Sequence, residues 1–383
     1  MGNEWNKIFN VNEGNFIDLA LEIFQFQYRH NSIYRTYVDM LKFNPKEIND
    51  LPGIPFLPIR FFKTHTVKTT DFEPAHEFQS SGTTQTISSR HFIKDIELYR
   101  QSFTKAFELV YGPVEDWCII GLLPSYLERR PGSPAGRNSS LVFMVNELIR
   151  ASGHEQSGFY LYEYQKLHDT LKQLEEKKQK TLLIGVTFAL LDFATEYSFP
   201  LKHTTIMETG GMKGRREEMV RHELHELLRK KFKIDVIHSE YGMTELLSQA
   251  YSKGNGIFYC PSWMKVLIRD EEDPLSVQSA VGRQQSAVGS RQSAVGSSHS
   301  PVDNRQWEIS SPTHHSPLTT HDALPTAIET TTKGVINIID LGNVYSCSFI
   351  ATDDAGKLYS NGSFEVIGRV DNSDIRGCSL LAI

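Results

Sequence analysis

Apolar and polar residues follow two different periods along the chain. Between residues 15 and 42, apolar side chains recur every three or four positions, which predicts one or two amphipathic helices. Further along, short apolar-rich runs predict buried strands at 117–123, 181–186, 204–208 and 233–238. The segments between them predict helices at 93–110, 141–149 and 167–178, and a further helix that starts near Arg215. Strands that alternate with helices of this length are typical of an α/β fold with a largely parallel sheet.

The C-terminal part shows strand patterns without intervening helices. Apolar-rich runs predict strands at 335–340, 345–352 and 364–369, and Asp353–Gly356 predicts a turn. We therefore expect a small β-rich C-terminal subdomain. The predicted organisation is an N-terminal helical segment at 1–50, an α/β core at 51–275, an insertion at 276–332 and the β-rich subdomain at 333–383.

Residues 276–332 interrupt this pattern. Three near-copies of the peptide QSAVG recur every seven residues. Each copy contains glycine and has only alanine and valine as apolar residues, so a coiled coil is not expected. Serine, threonine, proline and paired histidines follow, and such a composition cannot bury enough apolar surface to offset the entropy of ordering. We expect a disordered insertion in a surface loop.

Composition narrows the functional classes. The 383 residues are 39% hydrophobic and 11% aromatic, which indicates a mostly globular chain. The net charge is −6 and basic residues are not concentrated in one block, which argues against nucleic acid as the main partner. The N-terminus lacks the pattern of a signal peptide, and the longest apolar run, at 182–191, is about half the length that spans a membrane. We expect a cytoplasmic protein with no membrane span.

A serine- and threonine-rich loop at 78–86 has the composition of a phosphate-binding segment. Gly82 allows the backbone to approach a ligand closely and to turn its N–H groups inward. The neighbouring hydroxyl side chains, which can bind phosphate oxygens, belong to Ser80, Ser81, Thr83 and Thr84. The segment is not a Walker A loop, because no G-x-x-x-x-G-K-[ST] pattern is present. The alternative is a polar surface loop without a ligand.

Two further segments lie after predicted strands, where α/β proteins place ligands. Gly210-Gly211 follows the third strand, and two glycines allow a flat ring to lie against the backbone. Tyr241-Gly242-Met243-Thr244-Glu245 follows the fourth strand. Its tyrosine can stack on a base, its threonine can bind a phosphate, and its glutamate offers an oxygen ligand for Mg²⁺. The alternatives are a tight strand-to-helix turn at the glycines and a helix start capped by Thr244.

The C-terminus is dense in charge after the last predicted strand. Arg369 has a guanidinium group that suits ribose hydroxyls or phosphate. Cys378 lies near Arg369 and Arg376, which favour the thiolate, the nucleophilic form of the side chain. The four cysteines of the chain are widely spaced and form no C-x-x-C pair, as expected of reduced thiols. The alternative for Cys378 is a small buried hydrophobic residue.

Taken together and in this order, these segments resemble those of the adenylate-forming enzymes, the superfamily of acyl-CoA synthetases, luciferase and related ligases. Residues 79–86 resemble the phosphate loop of the superfamily, and Gly210-Gly211 resembles its adenine-side glycines. Residues 241–245 are similar, almost letter for letter, to its YGMTE motif.

Two C-terminal matches extend the resemblance. Thr352-Asp353-Asp354 resembles the TGD motif, so Asp354 falls on the ribose-binding aspartate of the superfamily. Gly368-Arg369-Val370-Asp371 resembles its GRxDD hinge, so Arg369 falls on the ribose-binding arginine.

Within the superfamily, the chain is similar to the acyl-protein synthetases, or long-chain-fatty-acid–protein ligases, of bacterial bioluminescence operons. The chain is short, and it ends just after Cys378, where the acyl-carrying cysteine of that family lies. The phosphate loop runs into Ser89-Arg90-His91 rather than into a lysine, so Arg90 is the candidate to supply that charge. Gln85 stands where the superfamily has a second glycine. The resemblance implies an adenylate-forming N-terminal domain, with parallel-rich sheets flanked by helices and without the mobile C-terminal domain of CoA ligases.

The resemblance implies a ligase that uses ATP and Mg²⁺, with Glu245 as the metal ligand. It would activate a carboxylic acid, by implication a fatty acid, to an acyl-adenylate. Cys378 would then accept the acyl group as a thioester and pass it to an acyl-accepting partner protein or small acceptor. Two other functions stay open. One is a CoA ligase of the phenylacetate type, in which CoA replaces Cys378, and the other is a non-catalytic relative that only binds nucleotide or a partner.

Overall fold

The computed structural model describes residues 4–80, 87–124, 138–210, 221–278 and 331–370. The helices are α1 (Phe16–His30), α2 (Ser32–Met40), α3 (Phe61–Thr64), α4 (Ile96–Tyr111), α5 (Ser140–Ser152), α6 (Tyr164–Glu176), α7 (Thr187–Glu196) and α8 (Arg221–Phe232). The strands are β1 (Leu57–Pro58), β2 (His76–Gln79), β3 (Arg90–Ile93), β4 (Cys118–Leu122), β5 (Gly158–Phe159), β6 (Thr181–Gly185), β7 (Thr204–Glu208), β8 (His238–Tyr241), β9 (Ala250–Ser252), β10 (Ile257–Phe258), β11 (Met264–Arg269), β12 (Val277–Gln278), β13 (Thr331–Asp340), β14 (Phe349–Tyr359) and β15 (Phe364–Arg369). The predicted α/β class is confirmed.

A mostly parallel sheet has the strand order β5-β4-β6-β7-β8-β9. Neighbouring strands from β5 to β8 run parallel, and β9 is antiparallel to β8. Every residue of β4 and β6 is buried, and strands covered on both faces are apolar along their whole length. This burial explains why continuous apolar runs predicted these strands. The carboxyl ends of β4, β6, β7 and β8 meet at one edge of the sheet.

A second, mainly antiparallel sheet has the order β10-β15-β14-β13-β11-β12, with β1 parallel to β14. Strands that precede and follow the repeat-containing insertion therefore share one sheet. Strand β11 pairs with β12 on one side and with β13 on the other. The residues between Gln278 and Thr331, which include the three repeats, lie outside the described part of the chain, so their predicted disorder stays a prediction. The division into domains stays a prediction as well.

Helices α1 and α2, predicted from the apolar period, are confirmed and pack against the segment that joins β13 to β14. Buried Gln27 on α1 donates to the carbonyl oxygens of Asn343 and Val344, at 3.2 and 2.9 Å. Asn31 caps α2 by accepting from the Tyr34 amide at 3.0 Å, and it donates to the Ser346 carbonyl at 2.9 Å. The N-terminal helices are thus tied to the second sheet by buried polar contacts.

The predicted strand at 345–352 is confirmed only from Phe349 onward, and the predicted turn at 353–356 is wrong. Strand β14 continues through these residues to Tyr359, with an irregular register at Ala355 and Gly356. A Cβ atom at Gly356 would lie 2.6 Å from the Glu365 carbonyl oxygen. Glycine therefore serves close strand approach here, not a turn. Asp354 pairs with Arg369 on β15, whereas the register with β13 is interrupted between Ala351 and Ala355.

The predicted strand at 233–238 is also wrong, because β8 begins only at His238. Lys233 has a left-handed backbone conformation, with φ of 51°, directly after α8, and the Ile234 amide donates back to the Arg229 carbonyl at 3.3 Å. These residues end the helix. The helix start predicted near Arg215 lies outside the described residues, so it stays a prediction, and α8 is described from Arg221.

No helix in the described ranges is long and apolar enough to cross a membrane.

Candidate active site at the carboxyl edge of the parallel sheet

Strands β7 and β8 bring two of the predicted ligand segments to the same edge. They pair in parallel, with Glu208 opposite Ser239. Gly210 follows β7 and has φ of 73°, a conformation that favours glycine. Its amide donates to Glu208 Oε2 at 2.7 Å, and its carbonyl accepts from the Thr187 amide at 3.2 Å. Both contacts fix the backbone where β7 ends. Gly211 lies outside the described residues.

Tyr241 joins this edge to the second sheet. Its hydroxyl donates to Asp354 Oδ2 at 2.9 Å, and both groups are buried. Asp354 on β14 is the register partner of Arg369 on β15, and Arg369 Nε lies 3.6 Å from Asp354 Oδ1. The Tyr241 ring packs against Phe258 and Phe364 at centroid distances of 5.8 and 5.3 Å. Three residues singled out from the sequence are thus in contact, although Tyr241 and Asp354 are 113 positions apart.

The segment from Gly242 to Gln249 is an irregular loop. Side chains that are distant in the sequence hold its backbone in place. No helix lies between Gly242 and Gln249, so the alternative of a helix capped by Thr244 is wrong. His91 Nδ1 lies 2.8 Å from the Thr244 carbonyl oxygen, and Asn343 Nδ2 donates to the Glu245 carbonyl oxygen at 2.7 Å.

Two neighbouring contacts complete this arrangement. The buried Asp340 carboxylate accepts from the Leu247 and Ser248 amides at 2.7 and 3.0 Å. A Cβ atom at Gly242 would collide with Glu240 Oε1, so a larger residue there would displace the Glu240 carboxyl group. Met243 and Thr244 are partly exposed, whereas Glu245 is only 1% exposed.

Hairpin β2–β3 flanks the serine- and threonine-rich loop. At its base, the Ser80 amide donates to the Ser89 carbonyl at 3.0 Å, and the Ser89 amide donates to Ser80 Oγ at 2.8 Å. Arg90 makes a two-pronged ion pair with Glu77, at 2.7 and 2.9 Å. This hydrogen-bonded pair lowers the pKa of Glu77 and raises that of Arg90. Ser81, Gly82, Thr83 and Thr84 lie outside the described residues.

The sequence matches the family model "Acyl-protein synthetase, LuxE" over residues 7–282. The chain belongs to the LuxE acyl-protein synthetase family. This membership confirms the resemblance found in the sequence. No curated protein matches the chain.

Solved structures of ligases are similar to the chain at low identity, each with a TM-score of 0.39. The R395G mutant of coronafacic acid ligase from Pectobacterium brasiliense is 14% identical, over 73% of this chain and 45% of that one. O-succinylbenzoate coenzyme A synthetase (MenE) from Bacillus subtilis with AMP is 13% identical, over 86% of this chain and 53% of that one. MenE with ATP and magnesium ion is 15% identical, over 80% and 52%. The chain spans about half the length of these structures.

In this LuxE-family chain, two buried glutamates beside the site were missed by the sequence analysis. Glu208 is held by Arg221 Nε at 3.1 Å and has His225 Nε2 at 3.7 Å. Burial alone would raise the pKa of Glu208, but the nearby His225 ring and the charge of Arg221 outweigh it and hold the pKa at about 2. Glu240 has no such cation, and burial, reinforced by the Glu208 charge, raises its pKa to about 8.

The segment Arg221-His222-Glu223-Leu224-His225 is one residue short of the H-E-x-x-H pattern of zinc proteases, and on the sequence alone both of its histidines are expected to be solvated. The expectation holds for His222, whose side chain is 79% exposed, and is wrong for His225, which is 12% exposed against Glu208. The sequence did contain a signal for the ion pair of Glu208 with Arg221. A glutamate ends a strand, and the helix that follows is rich in basic residues.

The residues around Glu245 fit a Mg²⁺ ion that takes one ligand from the protein and most of its other ligands from a bound substrate. The described residues contain no group of three histidine, cysteine, aspartate or glutamate side chains suited to a metal. Mg²⁺ usually keeps several waters and takes one or two carboxylates together with substrate phosphates. One carboxylate at Glu245 is consistent with that pattern.

The three described cysteines are poor nucleophiles. Burial raises the pKa of Cys118 to about 11 and that of Cys260 and Cys347 to about 12. These thiols stay protonated near neutral pH, and none of the three forms a disulfide. Cys378 lies outside the described residues.

Proposed function

We propose that the protein activates a carboxylic acid with ATP to an acyl-adenylate and then transfers the acyl group to a cysteine thiol. The observation that carries this proposal is the contact of Tyr241 with Asp354, and of Asp354 with Arg369, in a chain of the LuxE family. By the resemblance, the tyrosine frames adenine and the aspartate and arginine bind ribose. Their meeting at one sheet edge supports a single nucleotide site.

The nucleotide would span the edge from Gly210 to the serine- and threonine-rich loop. Gly210, Gly211, Tyr241, Gly242 and Met243 would line the adenine side. Asp354 and Arg369 would bind the ribose hydroxyls, while Ser80 to Thr84 would hold the β- and γ-phosphates. The hydrogen bonds that close the hairpin at Ser80 and Ser89 support a loop with a fixed base.

In the first step, a carboxylate oxygen of the acid attacks the α-phosphorus of ATP. The bond between this phosphorus and the bridging oxygen breaks, and pyrophosphate leaves with its electrons. Thr244 would bond the α-phosphate. Glu245 would hold Mg²⁺, which supplies positive charge against the phosphate oxygens. The protein mainly positions groups and neutralises charge in such a reaction.

In the second step, the Cys378 thiolate attacks the acyl carbonyl carbon, and AMP leaves. The raised pKa values of Cys118, Cys260 and Cys347 support a different cysteine as the acceptor. The resulting thioester would be passed to an acyl-accepting partner protein or small acceptor. A fatty acid is the substrate that the family name favours.

The test is acid-dependent exchange of pyrophosphate into ATP, measured with acids from acetate to long-chain fatty acids and with phenylacetate. We expect exchange in the wild type and in Cys378→Ala, with labelled acyl group retained covalently only by the wild type. Asp354→Asn should raise KM for ATP, whereas Asp353→Asn, its neighbour on β14, should change it less.

The outcomes separate the competing functions. CoA-dependent thioester formation that is unaffected by Cys378→Ala would replace the second step with a CoA ligase reaction. ATP binding without exchange, in the wild type and in a variant with residues 279–330 replaced by a glycine-serine linker, would leave a non-catalytic relative and end the enzymatic proposal.

A further inference from the structure

His91 connects two parts of the candidate site that lie far apart in the sequence. It is two residues after Ser89, which closes the base of the serine- and threonine-rich loop with Ser80. Ser89 immediately precedes β3 and His91 is the second residue of that strand, and both side chains are completely buried. From this strand, His91 Nδ1 reaches the carbonyl oxygen of Thr244, 153 positions away, at 2.8 Å.

The chemistry of this contact fixes the state of the ring. A carbonyl oxygen can only accept, so Nδ1 must carry the proton and donate it. Burial lowers the pKa of His91, which keeps the imidazole neutral. The Phe62 ring lies edge-on to it at 5.7 Å and limits its movement. Asn343 holds the next carbonyl, that of Glu245, so two successive carbonyls each receive one side-chain donor.

We propose that His91 is a positioning residue that holds Thr244 and Glu245 at a fixed place relative to the base of the serine- and threonine-rich loop. This inference rests on the proposed function, in which the loop binds the β- and γ-phosphates and Thr244 the α-phosphate. His91 itself touches no reacting atom. It acts through the backbone of Thr244, and displacements of about 1 Å at such a position reduce rates by up to about 100-fold.

The test compares three substitutions. His91→Leu keeps a similar volume and removes the donor. His91→Asn keeps a donor, because the amide Nδ2 stands where the imidazole Nδ1 stands. His238→Leu is the matched control, since His238 is also largely buried and makes one hydrogen bond, between Nδ1 and the Tyr111 hydroxyl at 3.1 Å, on the α4 side of the sheet.

In His91→Leu we expect kcat of pyrophosphate exchange to fall by about 10- to 100-fold, with KM for the acid unchanged. Amide hydrogen exchange of the peptide covering 242–249 should rise in parallel. His91→Asn should restore both quantities, and His238→Leu should lower stability in urea while leaving both unchanged. If the role of His91 were purely structural, both leucine variants would lose stability, and kcat would not fall selectively in His91→Leu.

Two results would overturn the inference alone: a folded His91→Leu with wild-type kcat, or a His91→Asn as impaired as His91→Leu. Absence of exchange in the wild type with every acid would instead overturn the proposed function, and this inference with it.

Discussion

Glu208 and Glu240 are buried carboxyl groups on neighbouring strands, and their surroundings push their pKa values in opposite directions. Glu208 is the register partner of Ser239, so its side chain shares the face of the sheet that Ser239 occupies. On that face, α8 supplies Arg221 and His225. Glu240 points to the opposite face, where Tyr99 of α4 and Tyr251 of β9 are the titratable neighbours. Among the described residues, one face places the Arg221 cation beside a carboxylate and the other face places no cation beside Glu240.

The difference shows that burial alone does not fix the charge of a group. Desolvation raises the pKa of both carboxyls, and the contacts with His225 and Arg221 of α8 are the largest of those that reverse the result for Glu208. At neutral pH the end of β7 therefore carries a negative charge locked to a cation. The adjacent end of β8, which leads to Tyr241, carries a mostly protonated carboxyl.

The largest expected effect comes from removing the cation of the pair. Arg221→Met leaves Glu208 buried without its partner, so we expect the free energy of unfolding to fall by about 3–5 kcal/mol. Urea unfolding measures it, with His222→Ala, an exposed neighbour on α8, as the control that should change stability by less than about 0.5 kcal/mol. Adding Glu208→Gln to Arg221→Met should recover part of the loss. Equal stability of Arg221→Met and His222→Ala would show that the pair is not needed.

The next effect is a pH dependence of the free energy of unfolding, which we expect to fall on both the acid side and the alkaline side. The folded pKa of Glu240 is raised from 4.5 to about 8, so its stabilising contribution is complete below pH 4.5 and is lost as pH rises towards 8. The folded pKa of Glu208 is lowered to about 2, so its contribution is present above pH 4.5 and is lost as pH falls towards 2. Each slope reaches at most about 1.4 kcal/mol per pH unit, the value for one proton.

Urea unfolding between pH 3 and pH 9 separates the decline on the acid side from that on the alkaline side. Glu240→Gln should flatten the decline between pH 5 and pH 8 and leave the acid side unchanged. Glu208→Gln should flatten the acid side only. If Glu240→Gln keeps the full decline, another group causes it and the contrast between the two strand ends fails.

The third effect concerns the hydrogen bond at the end of β8. Tyr241→Phe removes the hydroxyl that donates to buried Asp354, so we expect a loss of about 1–3 kcal/mol. Tyr259→Phe, at an exposed tyrosine, should be neutral in the same urea experiment. If the nucleotide binds at this edge, Tyr241→Phe should also change KM for ATP, and Tyr259→Phe should not.

The parts of the fold that were predicted correctly are those with a local signature. Strands β4 and β6 are nearly continuous apolar runs because both faces of the sheet are covered there. Strand β8 was misplaced because its residues are polar and its burial depends on α4 and α8. The aspartates within β14 suggested a turn, but Asp354 pairs with Arg369 on β15, and Ala351 and Ala355 on either side of the aspartates pair with β13.

The residues of the candidate site also fall into those that the sequence identified and those that only the structure reveals. The resemblance identified Tyr241, Asp354 and Arg369, and the structure brings them into contact. The side chains that fix the neighbouring backbone, His91, Asn343 and Asp340, lie far away in sequence. Their roles depend on tertiary proximity, which no local pattern of residues encodes.

The smallest expected effect comes from the exposed counterpart of the Glu208–Arg221 pair. Glu77 and Arg90 make shorter contacts than Glu208 and Arg221 do, but the Arg90 side chain is 51% exposed and water screens the charges. Glu77→Gln should therefore lower the free energy of unfolding by less than about 1 kcal/mol, and less still in high salt. Arg90→Gln should be equally mild in urea but should raise KM for ATP if Arg90 supplies the charge that a lysine supplies in related phosphate loops. A loss above about 2 kcal/mol for Glu77→Gln would show that exposure does not separate the two pairs.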